Sequence, residues 1–311
     1  MRMPRWAVEV LSCPRCGGAL AGLGTTAAVV RCRTCGPFPV LGGVPVLVPE
    51  PARWCATFYD AALSALAEAG SVTSEAVETL RAFADAAPGA DAARFSDDWT
   101  SAEATGARTP ALTRGPASDA LDELLEVAAH QSPALWLQHR APEGVVLEVG
   151  CGAGLTASRL ASRRRSLLVG DTSLRAVLNT SKHSRAVGVV LDAQALPVRA
   201  RSLDGLVAEN VIDLLDDPEA FFTAAARALD AAGTLLVSSP APGLQDPDED
   251  DAALARLAQR CGFTVKDRAD GLPWLRQNSS RFLEVWLVQA LALSPGNPPV
   301  TRASGRARRQ R

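Results

Sequence analysis

Val145-Val-Leu-Glu-Val-Gly-Cys-Gly-Ala-Gly154 decides the fold. Three valines and a leucine make a short apolar strand that carries one carboxylate, Glu148, and runs into alternating glycines. Gly150, Gly152 and Gly154 permit positive φ and bare the backbone, so a ligand can come close to the main chain. Leu155 to Ala161 reads as a helix whose N-terminal amides face the same crevice. Strand, glycine turn and helix together open a nucleotide-type α/β domain. A dinucleotide fingerprint would be Gly-x-Gly-x-x-Gly; here the glycines fall at 150, 152 and 154, with Leu at 155.

Downstream, carboxylates recur at strand ends. Ser166-Leu-Leu-Val-Gly-Asp171 is a second buried strand, and Asp171 lies 21 residues beyond Gly150. At that distance a βαβ unit returns an acid to a ribose, whose two hydroxyls one carboxylate can accept. Thr172 follows it. Val187-Gly-Val-Val-Leu-Asp192-Ala193 is a third strand ending in an acid. A fourth runs from Ser202 and exits through Glu209, Asn210 and Asp213, and a fifth spans Gly233 to Ser239. A helix over 251–261 and strands over 263–268 and 282–291 complete the pattern, the last two forming an antiparallel edge hairpin.

Glu-x-Gly-x-Gly-x-Gly with these strand ends resembles class I S-adenosylmethionine-dependent methyltransferases over about 150 residues. The resemblance implies a Rossmann-like α/β fold with a seven-stranded sheet in the order 3-2-1-4-5-7-6. It implies S-adenosylmethionine as cofactor, held by Glu148, Gly150, Cys151, Gly152, Gly154, Asp171, Thr172, Asp192, Ala193 and Asn210. In that family the Asp of the Asp-Ala pair bonds the adenine amino group. Glu209, Asn210 and Asp213 stand where substrate-facing groups collect, and Glu209 or Asp213 is a candidate base, against a reading as solvated acids. The exit Ala-Glu-Asn-Val differs from the Asn-Pro-Pro-Tyr of enzymes that methylate exocyclic base amines.

The first 51 residues have a different character. Cys13-Pro-Arg-Cys16 and Cys32-Arg-Thr-Cys35 are separated by fifteen residues, and a glycine follows each pair. Two such knuckles supply four sulfurs in a tetrahedron, the closed structural arrangement of zinc. Redox use of a lone Cys-x-x-Cys is the alternative, but no thioredoxin-like βαβ context accompanies it. Phe38-Pro-Val-Leu-Gly-Gly-Val-Pro-Val-Leu-Val48 follows. Together the two stretches resemble the zinc-ribbon activator proteins that pair with methyltransferases of the translation apparatus. They are also similar to the zinc site ahead of the catalytic domain in bacterial rRNA guanine methyltransferases.

Four segments result: a zinc ribbon over 1–51, a helical insert over 52–142, a methyltransferase domain over 143–295 and an Arg-rich disordered tail over 296–311. In the insert, 52–69 is helical in composition, Ser74 caps a second helix ended by Pro88-Gly89, Ser118 caps a third, and Ser132-Pro133 starts a fourth. Residues 89–117 form a loop in which Trp99, beside two acids, is a lid or substrate candidate, or else a packed plug. Trp274 and Arg276 lie in the expected loop of the edge hairpin, and are substrate candidates on the same terms. His130 and His139 lack ligand-spaced partners.

Composition narrows the function. The chain has 311 residues, a net charge of −2 and 47% apolar content, which excludes a globally basic nucleic-acid binder and suits a globular protein. No apolar run is long enough for a membrane span, and Met1-Arg-Met-Pro-Arg-Trp6 lacks a leader's apolar core. Paired cysteines without a disulfide framework suggest a reducing cytoplasm. Three readings stand: a methyltransferase of O or N nucleophiles on small molecules, favoured by the acidic body; one acting on RNA or a translation protein, favoured by the ribbon and the arginine tail; and a cofactor-binding partner module without catalysis. Nucleic acid is therefore an admissible but less favoured partner.

Overall fold

The computed structural model describes residues 3–87, 125–128, 130–240, 252–279 and 282–296. Trp99, the expected helix start at Ser118 and the arginines from Arg302 onward lie outside the described residues.

The ribbon begins with helix α1 (Arg5–Val10), followed by β1 (Leu20–Ala21), β2 (Val29–Cys32), β3 (Gly36–Leu41) and β4 (Val44–Leu47). Gly42 and Gly43, both at positive φ, turn β3 back into β4. Helices α2 (Pro51–Thr57), α3 (Tyr59–Glu68), α4 (Ser74–Asp85) and α5 (Pro133–Arg140) come next. The alternating unit then runs β5 (Gly144–Val149), α6 (Leu155–Leu160), β6 (Arg165–Asp171), α7 (Leu174–Ser184), β7 (Val187–Leu191), β8 (Leu203–Glu209), α8 (Pro218–Ala228), β9 (Leu229–Ser239), α9 (Ala253–Arg260), β10 (Phe263–Ser279) and β11 (Phe282–Pro295).

One sheet joins them in the order β1-β2-β3-β4-β7-β6-β5-β8-β9-β11-β10. Counted from β5, its last seven members read 3-2-1-4-5-7-6. The sheet nevertheless has eleven strands rather than the expected seven. The cause lies in β4, which pairs in parallel with β7, Val46 against Val190 and Leu47 against Leu191. An apolar parallel edge strand exposes backbone donors and acceptors that must be covered, and the ribbon hairpin covers them.

Alternation along the strands sorts the core into two layers. Leu147, Val149, Leu168, Leu206 and Leu235 pack with Phe221 and Phe222 of α8 on one face. Val146, Val169, Val190, Val207 and Leu236 pack with Trp54, Leu66, Leu80, Leu137 and Val177 on the other. The helical insert therefore roofs the second face, the face on which Glu148 lies by parity.

Three local expectations are corrected. The 52–69 stretch is two helices, broken at Phe58 where φ is −108° and ψ 23°. The cap of α4 is Thr73, whose side chain accepts from the Ala76 amide, and Ser74 is the first helical residue. Most consequential, 271–276 is strand rather than hairpin loop: Leu272 faces Val288, Trp274 faces Trp286 and Arg276 faces Glu284. A register shift between Ala269 and Leu272 absorbs Asp270 and Gly271, the latter at φ +71°, so the ladder resumes instead of turning.

Candidate active site

The crevice lies at the carboxyl ends of the parallel strands, where strand order reverses about β5. β5 carries Val149 into the glycine turn, whose amides are held by the neighbouring strand: Gly150 N and Cys151 N donate to the Gly170 carbonyl at 2.8 and 3.1 Å. Gly150 (φ +70°) and Gly154 (φ +82°) occupy the left-handed region. A Cβ at Gly154 would sit 2.7 Å from Thr180 Oγ1, and one at Gly150 would collide with Val211. The turn is thus fixed by strand and helix together, and glycine is required for shape as well as for access.

Asp171 closes this loop. Its Oδ2 accepts from Gly152 N at 3.0 Å and its Oδ1 from Ser173 N at 2.9 Å. Thr180 of α7 donates to the Gly152 carbonyl at 3.1 Å. Asp192 shapes the end of the next strand, β7, in the same manner: its Oδ1 accepts from Gln194 N at 2.8 Å and starts the single turn Ala193–Ala195.

Glu148 is buried, with only 2% of its surface exposed. The Ala157 amide donates to it, while its Oε2 finds no hydrogen-bond partner. Burial, then the negative charges of Glu209 and Asp171, push its carboxyl well above the usual range. An orphaned, buried carboxylate oxygen costs free energy that a cationic donor would recover.

At the end of β8, Glu209 accepts from the Thr156 hydroxyl of α6. Burial raises its pKa to about 7, with Arg159 pulling the other way. Asn210 takes φ +53°, and its amide is held by the Ser238 carbonyl at 3.0 Å while its Oδ1 accepts from Ser238 Oγ at 2.9 Å. Asp213 accepts from Ser239 Oγ at 3.1 Å, and burial raises its pKa.

The residues read from the sequence fall into groups. Glu148, Asp171 and Glu209 converge on the glycine turn, with Thr172 and Asp192–Ala193 at the adjoining strand ends. Asn210 and Asp213 form a separate pair with Ser238 and Ser239 at the end of β9. Trp274 is half-buried in β10, beyond the Gln289–Leu293 stretch of β11 that pairs with β9, and Arg276 follows on the same strand. Thr156, Thr180 and the two serines escape sequence reasoning. Only the Ser238-Ser239 doublet, polar at the end of an apolar strand, offers a signal.

At the other end of the sheet the Sγ atoms of Cys13, Cys16, Cys32 and Cys35 all lie within 4.8 Å of one another. A tetrahedral zinc–thiolate site requires sulfurs about 3.8 Å apart, and Cys16 and Cys32 are 3.5 Å apart. The Cys35 and Thr34 amides lower the Cys32 pKa to about 7, whereas a hydrogen bond with Cys16, then burial, raise that of Cys35 to about 12. Four thiols in this geometry fit a divalent soft cation.

Residues 147–237 match the family described as "Methyltransferase domain". A probable S-adenosylmethionine-dependent methyltransferase of Mycobacterium tuberculosis is 32% identical over 124 residues, covering 38% of this chain and 45% of that protein. A ubiquinone biosynthesis O-methyltransferase of Rhizobium etli is 29% identical over 106 residues, covering 32% of this chain and 43% of its own length. The chain thus spans less than half the length of these curated relatives. Among solved structures, a TehB-like methyltransferase from Corynebacterium glutamicum superposes with a TM-score of 0.41 at 18% identity, covering 58% of this chain and 97% of that one. From within β5 to within β9 this chain matches a methyltransferase domain, and a four-cysteine cluster precedes that stretch.

Proposed function

We propose that the protein is an S-adenosylmethionine-dependent methyltransferase acting on an oxygen or nitrogen nucleophile of a small molecule. The observation that carries this reading is the orphaned Oε2 of buried Glu148 beside the glycine turn, which fits the ammonium of the cofactor's amino-acid end. Asp171 and Thr172 would hold the ribose, and Asp192 with the Ala193 amide the adenine. Bound there, the cofactor supplies an electrophilic methyl group on a sulfonium. The protein's own role is to place the acceptor in line and exclude water, from which most of the rate gain of a displacement follows.

Asn210 and Asp213, each tied to a serine of β9, face the acceptor side. Asp213, its pKa raised by burial, is the better-placed proton acceptor for a hydroxyl or ammonium that must lose a proton. Glu209 is committed to Thr156 and serves the wall of the site. The four-cysteine cluster holds structural zinc, since four thiolates leave no open position. Among the described residues no helix is long and apolar enough to cross a membrane.

The acid-lined crevice favours a small acceptor. The ribbon supports a second reading, in which RNA is the acceptor, because Arg31 and Arg33 are exposed beside the cysteines. Transfer of labelled methyl from S-adenosylmethionine into a panel of phenols, catechols and amines, run beside total RNA, tests both. Incorporation confined to RNA would reject the small-molecule assignment, and incorporation into neither would reject both.

A further inference from the structure

We infer that Trp54 is a positioning residue for the ribose-facing end of β6, through which the ribbon side of the sheet sets ligand affinity; the inference rests on the adenosyl-ligand reading above. β4 ends beside β7, and the chain turns immediately into α2, which carries Trp54 over the carboxyl end of the sheet. There the indole Nε1 donates to the Thr172 carbonyl at 3.0 Å. Trp54 is 7% exposed, and its ring packs on Phe58 at 5.5 Å between centroids.

Thr172 is the hinge of the Asp171 turn. The residues on either side of it are locked to each other, since Ser173 N donates to Asp171 Oδ1. A donor on the carbonyl between them fixes the peptide plane on which the carboxylate's direction depends. A second tether acts one step on: Arg175, in the first turn of α7, donates to both oxygens of Glu68 in α3 at 2.9 and 3.2 Å. The segment 172–175 is therefore held from the insert at two points, while Asp171 holds the glycine turn through Gly152. Preorganising a carboxylate in this way lowers the ordering cost of binding.

Trp54→Phe removes the N–H and keeps the ring. Three measurements follow on the full chain: hydrogen exchange of the free protein, calorimetric affinity for S-adenosylhomocysteine, and affinity for its 2′-deoxyribose analogue. The variant should bind S-adenosylhomocysteine roughly three- to tenfold more weakly, the worth of one hydrogen bond. The affinity lost on deleting the 2′-hydroxyl should shrink relative to wild type, and the Gly152 and Ser173 amides should exchange faster. Unchanged affinity and exchange would overturn the inference, and so would a weaker affinity with an unchanged ribose penalty, which marks general loosening. Wild-type protein that binds no adenosyl ligand would overturn the functional reading and this inference with it. Should Trp54→Phe fold poorly, Glu68→Gln releases the other tether at a half-exposed position. About a twofold loss with the same ribose signature is expected there, and none would count against the inference.

Discussion

Replacing Glu148 by Gln should move stability and ligand affinity in opposite directions. The substitution is nearly isosteric and keeps an acceptor for the Ala157 amide. It removes a charge that sits beside Asp171 and Glu209 in a buried position. Because burial and these neighbours raise the carboxyl pKa above its unfolded value, the folded protein binds the proton more tightly than the unfolded chain. The resulting stability is complete below the unfolded pKa and is lost as pH rises through the folded one. Gln does not ionise, so the variant should match wild type in mild acid and exceed it at pH 8.5 in urea titration. Affinity should fall instead, because a charged hydrogen bond to the cofactor's ammonium is worth about 1.5–3 kcal/mol, or roughly ten- to a hundredfold in Kd. A variant equally destabilised at both pH values that kept wild-type affinity for S-adenosylhomocysteine would refute the reasoning.

Glu209→Gln should flatten the pH dependence of stability. The raised pKa of about 7 makes wild type less stable as pH rises from about 4.5 toward 7, by up to about 3 kcal/mol; parallel wild-type and variant urea titrations at pH 5 and 8 would contradict this. Gly154→Ala meets Thr180 Oγ1 at 2.7 Å with φ at +82°, and should cost about 1–3 kcal/mol in thermal unfolding, so a loss within experimental scatter would show that the turn is not constrained. Cys16→Ser should abolish stoichiometric zinc in elemental analysis and lower the Tm, whereas retained zinc would dismiss the four-thiolate site.

What is legible in the sequence is local and periodic. Glu148, Asp171 and Asp192 lie in or end apolar strands in register, so spacing alone places them together at one edge of the sheet. Two Cys-x-x-Cys pairs likewise announce their cluster. What escapes is set by tertiary pairing. No pattern in Val44–Leu47 says that it joins β7 in parallel instead of closing a separate ribbon, since an apolar strand fits either edge. Residues 271–276 read as the loop of the edge hairpin, yet a bulge lets β10 continue, which moves Trp274 and Arg276 from a loop into a ladder. The Trp54 and Thr156 contacts join residues 118 and 53 positions apart, and nothing in their neighbourhoods marks them as polar partners. For Glu209 the sequence leaves a base and a solvated acid both open, because its hydroxyl donor, Thr156, lies on a distant helix.

The most direct test of the central claim is calorimetric titration of the 311-residue chain with S-adenosylmethionine and S-adenosylhomocysteine, with NAD as control. The arrangement of Glu148, Asp171 and Asp192 predicts binding of both adenosyl ligands and none of NAD. Folded, zinc-loaded protein that binds neither adenosyl ligand would contradict the account and leave the domain as a partner module without catalysis.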